Sequence, residues 1–268
     1  MRLKDKIILI TASTRGIGLA AVKACAAEGA AVYMAARDLE RAAAAADKLN
    51  DEGLQVKYVY NDASKPETFV SMVDEVVKDA GRIDVLVNNF GTSNPGKDLD
   101  FAHTDADIFL NTVNTNLRSV FIASQAAVKH MSMQGGGSIV NISSIGGLVP
   151  DISQVAYGTS KAAINYLTKL IAVHEASHNI RCNAVLPGMT ATDAVKKNLT
   201  EEFRELFLRH IPLKRMGLPE EIAQAVVYFA SDESAYTTGQ IMAVSGGFGL
   251  ATPVYGDLSN KNLSRGIE

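Results

Sequence analysis

The feature that most narrows what this chain can become is an alternation. Short apolar runs rich in β-branched residues recur with longer helical patterns between them, and each run ends on polar or glycine-rich residues. The spacing predicts strands near Ile7–Ile10, Ala31–Ala35, Val56–Tyr60, Val85–Val87, Ser138–Ile142, Arg181–Leu186 and Gln240–Val244. Chains built this way wind βαβ units onto a parallel sheet with both faces covered. The expected fold class is therefore α/β: a single-domain, doubly wound parallel sheet of about seven strands flanked by helices. A first helix is expected from about Gly18 to Glu28, stopped by Gly29, and a second from Leu39 to Asn50 through the helix-forming run Ala42–Ala46. Pro66 is expected to open a third, and Pro219 with Glu220 and Glu221 a late one, since proline suits the first helical position and acids its first turn.

Composition removes several function classes. With 268 residues, 47% hydrophobic, the chain is long enough to bury a large core. A net charge of -3 offers no basic field for a phosphate backbone, so nucleic acid is not an expected partner. The run Ile7–Ile10 is too short for a signal-peptide core or a membrane span, so no membrane is expected. Cys25 and Cys182, the only cysteines, sit in apolar segments and are read as buried thiols in a reducing cytoplasm. None of His103, His130, His174, His178 and His210 falls in a metal-binding pattern, and no metal is expected.

In a doubly wound sheet, ligands bind beyond the carboxyl ends of the strands. Here those ends carry Thr11–Gly18, Ala36–Arg37, Asn61–Asp62, Asn88–Gly91, Ser143–Ser144 and Pro187–Gly188, which converge on one extended site. Gly16 and Gly18 stand where a strand turns into a helix, so a pyrophosphate could approach the amides at the positive end of the helix dipole. Tight helix–strand packing is the competing reading of these glycines, and Ala12 replaces a usual first glycine. The setting favours a Rossmann-type dinucleotide site over Ser13, Thr14, Arg15, Gly16, Ile17 and Gly18. At the end of the second strand Ala36 stands where an acid would select NAD, and Arg37 and Arg15 suit a 2'-phosphate. NADP is the expected cofactor, with Asp38 keeping NAD as the lesser option.

Tyr157 and Lys161 are four apart in a helical segment continuing to Ala176 and so share a helix face. An ammonium beside a phenol favours the phenolate and moves it towards general-base work. Alone, this spacing is common on exposed helices.

Taken with Thr11–Gly18, Asn88–Gly91, Asn116, Ser144 thirteen residues before Tyr157, and Pro187–Thr192, it resembles the short-chain dehydrogenase/reductase family over nearly the whole chain. The resemblance implies that Tyr157 exchanges the substrate proton as a hydride moves to or from nicotinamide. It implies that Ser144 holds the reacting oxygen, that Lys161 binds the nicotinamide ribose and lowers the tyrosine pKa, and that Asn116 completes a proton relay through water. Asp62 with Ala63 would meet the adenine, Asn88 the adenosine side, and Thr190 and Thr192 the nicotinamide end. Phe90 departs from the family by standing where a small residue is usual.

Within the family, Asn88–Asp100, Gly136–Ser153, Asn179–Ala194 and Gly246–Pro253 resemble the bacterial bile-acid hydroxysteroid dehydrogenases, with the 12α enzymes favoured over the 7α enzymes. This implies a bile-acid substrate and a homotetramer built on the helices carrying Asn116 and Tyr157. Rival readings are a reductase of 3-oxoacyl thioesters, a sugar or polyol dehydrogenase, and an NADP-sensing regulatory protein without turnover. Leu199, Phe203, Leu206, Phe207 and His210 recur at helical spacing inside a substrate lid at about 189–215, a stripe suited either to covering a large apolar ligand or to packing on its own domain. One of Lys196, Lys197, Arg204 and Arg209 there would meet an acidic substrate chain, unless all four are simply solvated. Residues 1–250 are read as one dinucleotide-binding and catalytic domain and 251–268 as a tail, or an arm onto a neighbouring subunit.

Overall fold

The computed structural model describes residues 1–252 and 254–260. Strands β1 (Ile7–Thr11), β2 (Ala31–Ala36), β3 (Gln55–Tyr60), β4 (Val85–Asn88), β5 (Gly137–Ile142), β6 (Ile180–Pro187) and β7 (Ile241–Val244) form one parallel sheet in the order β3-β2-β1-β4-β5-β6-β7. The chain winds outward from β1 to β3, then crosses back to place β4 on the other side of β1. That reversal opens a crevice above the ends of β1 and β4.

Side chains alternate across the sheet as the pleat requires. Ile8, Ile10, Val32, Met34, Val85, Val87 and Val140 join the core under α1 (Gly16–Ala27), α2 (Leu39–Asp51) and α8 (Pro219–Ala230). Leu9, Tyr33, Ala35, Leu86 and Ile139 face α3 (Thr68–Ala80), α4 (Ala106–Met133) and α5 (Val155–His174). Strands buried on both faces need apolar residues at every position, and β1 reads that way.

Most expected element ends hold within two residues, and the departures have local causes. Pro66 lies in the turn before α3 rather than in it, because the Thr68 hydroxyl ties the Lys65 and Asp62 carbonyls and delays the helix to Thr68. Helix α5 stops at His174, and Ala176–His178 turns as a 3-10 segment. The segment expected as a lid holds two short helices, α6 (Asp193–Asn198) and α7 (Glu201–Leu208), each opened by a threonine cap: Thr192 accepts from the Val195 amide and Thr200 from the Phe203 amide. Leu199 lies between the two helices, outside any continuous stripe.

The described part of the tail packs back on the domain. Helix α9 (Tyr255–Asn260) docks on the end of α7, with Arg209 3.6 Å from Asp257 and the Lys214 ammonium 4.7 Å from the centre of the Tyr255 ring. The remainder of the tail, 261–268, lies outside the described residues. Cys25 and Cys182 are buried and unbridged, and burial pushes the Cys25 thiol up to about 12. His103, His130 and His178 each face a carboxylate, Asp100, Asp74 and Glu175.

Candidate active site

The loop after β1 has the shape of an anion cradle. Helix α1 begins without a side-chain cap and without an acid in its first turn, which leaves its first amides and its positive dipole end uncommitted. A Cβ at Gly18 would lie 2.6 Å from the Ala12 carbonyl oxygen and from Asn89 Nδ2, so only glycine fits there. A Cβ at Gly16, where φ is +54°, would come 3.4 Å from Thr192 Cγ2, so the root of the lid borders the loop. Ser13 is buried and donates to the Ile10 carbonyl at 2.9 Å, whereas Arg15 is exposed and Thr14 and Ile17 are half-buried. Ala12 itself holds φ at +52°, the conformation a glycine would adopt without strain.

Two residues that sequence reasoning passed over lock this loop. The Thr11 hydroxyl accepts from the amides of Asn89 and Phe90 at 2.9 and 3.0 Å, and Asn89 Nδ2 donates to the Thr11 and Ala12 carbonyls at 3.0 Å. Phe90 meets Phe69 edge to face at 6.4 Å between ring centres, which houses the bulky residue without disturbing the loop.

Beyond the ends of β2 and β3, Arg37 is exposed and near enough to Asp62 to help hold its carboxyl below the usual range, behind the larger effect of the Ser64 amide and hydroxyl. Asp38 caps α2 by accepting from the Arg41 amide at 3.0 Å. Ala63 packs against the second core. The Asn88 side-chain amide donates inward to Ser124 at 3.0 Å and Asn141 at 2.8 Å. Thr190 is buried and donates to the Gly188 carbonyl at 3.0 Å.

Ser144, Tyr157 and Lys161 come together where β5 and α5 meet. Ser144 caps the turn Ile145–Gly147, accepting from the Gly146 amide at 3.1 Å, and its hydroxyl is near enough to the Tyr157 phenol to oppose the rise that burial causes there. Lys161 is buried, donates to the Ile142 carbonyl at 2.9 Å and lies 5.5 Å from the centre of the Tyr157 ring. A Cβ at Gly91 would stand 2.9 Å from Lys161 Nζ, so the glycine of Asn88–Gly91 makes room for the ammonium.

The electrostatics correct one expectation. Burial pushes the Tyr157 phenol up, with the Ser144 hydroxyl opposing it, and drives Lys161 down to about 8. Lys161 is itself desolvated, and its ammonium donates to the Ile142 carbonyl. Asn116 does not reach towards the phenol either. Its buried amide bonds the Thr92 backbone in both directions, at 2.8 and 2.9 Å, and donates to Ser160 at 2.9 Å, whose hydroxyl in turn donates to the Tyr157 carbonyl at 2.7 Å.

Beside Ser144 opens an apolar pocket of about 270 Å³ lined by Ile145, Leu148, Val149, Val244, Phe248 and Leu250. Phe248 stacks on Phe207 at 4.8 Å and Phe207 on Phe203 at 6.1 Å, so the aromatic residues of the lid continue the pocket wall. No side chain of α7 is buried, and Phe203 and Leu206 are about half exposed. Of the lid cations, Arg204 pairs with Glu201 and Arg209 with Asp257, while Lys196 and Lys197 are exposed.

A uniform parallel sheet, a glycine cradle at its switch point and a Ser–Tyr–Lys cluster define a nucleotide-dependent oxidoreductase, and residues 11–249 match the sequence profile of a family described as enoyl-(acyl carrier protein) reductase. The chain belongs to the short-chain dehydrogenase/reductase family. It is 51% identical over 256 residues to a 7α-hydroxysteroid dehydrogenase of Clostridium sardiniense, covering 96% of this chain and 98% of the relative. It is 49% identical to another 7α-hydroxysteroid dehydrogenase, from Paraclostridium sordellii, covering 96% of each. Among solved structures, it superposes with a TM-score of 0.87 and 31% identity on a 7α-hydroxysteroid dehydrogenase complexed with NADH and 7-oxo glycochenodeoxycholic acid, covering 92% of this chain and 95% of that one. The resemblance to hydroxysteroid dehydrogenases holds, but the preference for position 12 does not: these relatives act at position 7.

Proposed function

We propose that this oxidoreductase interconverts the 7α-hydroxyl of a bile acid and the corresponding ketone, with NADP as its preferred cofactor. The observation that carries the reading is the grouping of Ser144, Tyr157 and buried Lys161 where β5 and α5 meet, with an apolar pocket starting at Ile145 beside it. In the oxidative direction the alcohol oxygen takes a place between the Ser144 and Tyr157 hydroxyls. Ser144 donates to that oxygen, and Tyr157 accepts its proton; in reduction Tyr157 returns the proton. Lys161 would hold the nicotinamide ribose, and its charge there would favour the phenolate. When bound, the cofactor supplies or accepts the hydride. Asn116 serves the proton path by holding Thr92 and Ser160 around the Tyr157 backbone.

The cradle fits a dinucleotide: Gly18 lets the loop close tightly on α1, Gly16 keeps its left-handed turn free of a Cβ, and α1 presents uncapped amides. Ser13, Thr14, Arg15 and Ile17 would line it, with Asp62, Ala63 and Asn88 towards the adenosine and Thr190 and Thr192 towards the nicotinamide. The 2'-phosphate is assigned to exposed Arg37 and Arg15, because Ala36 offers no acid and Asp38 is engaged as the cap of α2. Exposed Leu110, Phe121, Tyr166, Leu170 and Val173 on α4 and α5 support association through these helices into a homotetramer. Two buried free thiols suit a cytoplasmic setting. No helix among the described residues is long and apolar enough to cross a membrane.

The test is a panel of bile acids with NADP and with NAD, each product identified. Chenodeoxycholate, hydroxylated at 3 and 7, should be oxidised to the 7-ketone, and deoxycholate, hydroxylated at 3 and 12, should be left unchanged. Oxidation of deoxycholate alone would move the site to position 12. Turnover of a 3-oxoacyl thioester or a sugar with both bile acids inert would sink the steroid reading, and cofactor binding with no turnover would point to a sensor.

A further inference from the structure

The first turn of α5 carries Tyr157, and a helix starts with amides that have no partner inside it. Nothing local caps this one: Gln154, in the left-handed region at φ +59°, makes no side-chain bond to it. All four leading amides are instead satisfied by a segment far upstream. The Asp98 carbonyl accepts from Gln154 at 3.1 Å and the Leu99 carbonyl from Val155 at 3.3 Å. The two carboxylate oxygens of Asp98 accept from Ala156 and from Tyr157, each at 2.9 Å. Asp98 is fully buried. Its own amide donates to the Asn94 carbonyl at 2.8 Å, and the segment leading to it is anchored where Asn116 grips Thr92, next to Gly91 under Lys161.

We propose that Asp98 is a positioning residue that sets the Tyr157 hydroxyl against Ser144 by fixing the first turn of α5, which makes the 91–99 segment a strap between the cofactor loop and the proton carrier. The inference rests on the reading of Tyr157 as that carrier. A carboxylate at a helix N-terminus makes charge-assisted bonds and complements the dipole, so it holds the turn more tightly than a neutral cap would. Because both oxygens are used, an asparagine keeps one acceptor and turns an NH2 group towards the other amide. The Tyr157 amide is itself one of the held groups, so slack there passes directly to the phenol, and displacing a reacting group by about 1 Å costs on the order of 100-fold in rate.

The experiment compares wild-type enzyme with Asp98→Asn and Asp98→Ala, counting folded sites by NADPH titration and expressing kcat and KM per site. We expect kcat per site to fall about 3- to 30-fold in Asp98→Asn and about 10- to 100-fold in Asp98→Ala, with cofactor affinity and KM within roughly 3-fold of wild type. Asp98→Asn retains shape and one hydrogen bond and so carries the test if the alanine variant does not fold. A wild-type kcat per site in Asp98→Asn, whatever its melting temperature, would overturn the proposal and leave Asp98 a structural cap. So would a loss confined to KM or to cofactor affinity. Tyr157→Phe measured alongside keeps the two readings apart: if that variant stays active, the assignment of the proton carrier fails, whereas an active Asp98→Asn beside an inactive Tyr157→Phe removes the strap alone.

Discussion

Tyr157 and Lys161 lie one turn apart on α5, the ammonium 5.5 Å from the ring centre, and burial acts on them in opposite directions, raising the phenol pKa and lowering the ammonium to about 8. Burying the charged lysine therefore weakens the folded state. The unfolded chain holds this proton up to about 10.5, so between about 8 and 10.5 it binds more protons than the folded chain and stability rises with pH. Below about 8 the full penalty applies, on the order of 3 kcal/mol. Lys161→Met should thus abolish turnover yet unfold at higher denaturant at pH 7, and its advantage should shrink as pH rises through 8 to 10. Chemical denaturation at several pH values reads this directly, and a variant less stable than wild type at pH 7 would contradict it.

Ala12 holds a left-handed backbone at φ +52°, a conformation that costs a non-glycine residue about 1–2 kcal/mol. Part of that is offset by the smaller freedom of alanine in the unfolded chain. Ala12→Gly should stabilise the protein by about 0.5–1 kcal/mol, raising the melting temperature by roughly 1–4 °C. Thermal unfolding monitored by circular dichroism would show it. A lower melting temperature would mean that the alanine methyl makes a packing contact that outweighs the strain.

Arg37 stands where β2 ends in Ala36 and acts on Asp62, just beyond the end of the neighbouring strand β3. A bond to a charged group contributes about 1.5–3 kcal/mol. Arg37→Ala should weaken NADP binding by one to two orders of magnitude and NAD binding far less, as measured by titration of each. Equal losses for both cofactors would remove Arg37 from the 2'-phosphate.

The sheet was legible because its inner strands are buried on both faces and so form nearly unbroken apolar runs, as Ile7–Ile10 does, while the edge strands β3 and β7 are partly exposed. Ser144, Tyr157 and Lys161 were legible because fixed spacings put them on one turn and one helix face. What escaped reading depends on contacts between distant segments. Asp98 reads as one more acid in a polar loop until its carboxylate is seen under α5, 58 residues on. Asn89 reads as a neighbour of Asn88, yet it is Asn89 that locks the glycine loop while Asn88 turns inward. The phenol pKa was misjudged because helical spacing gives the nearness of a lysine but not the desolvation or the Ile142 carbonyl that hold its charge.

Tyr157→Phe tests Tyr157 as the proton carrier with least disturbance, since the ring still packs and only the hydroxyl near Ser144 is lost. Removing a general acid/base costs roughly 100- to 10,000-fold in rate. The measurement is kcat for oxidation of chenodeoxycholate by wild type and Tyr157→Phe at saturating NADP, with NADPH affinity determined for both. The account predicts a loss in that range with cofactor affinity retained within a few-fold. A variant keeping more than about a tenth of wild-type turnover would contradict it.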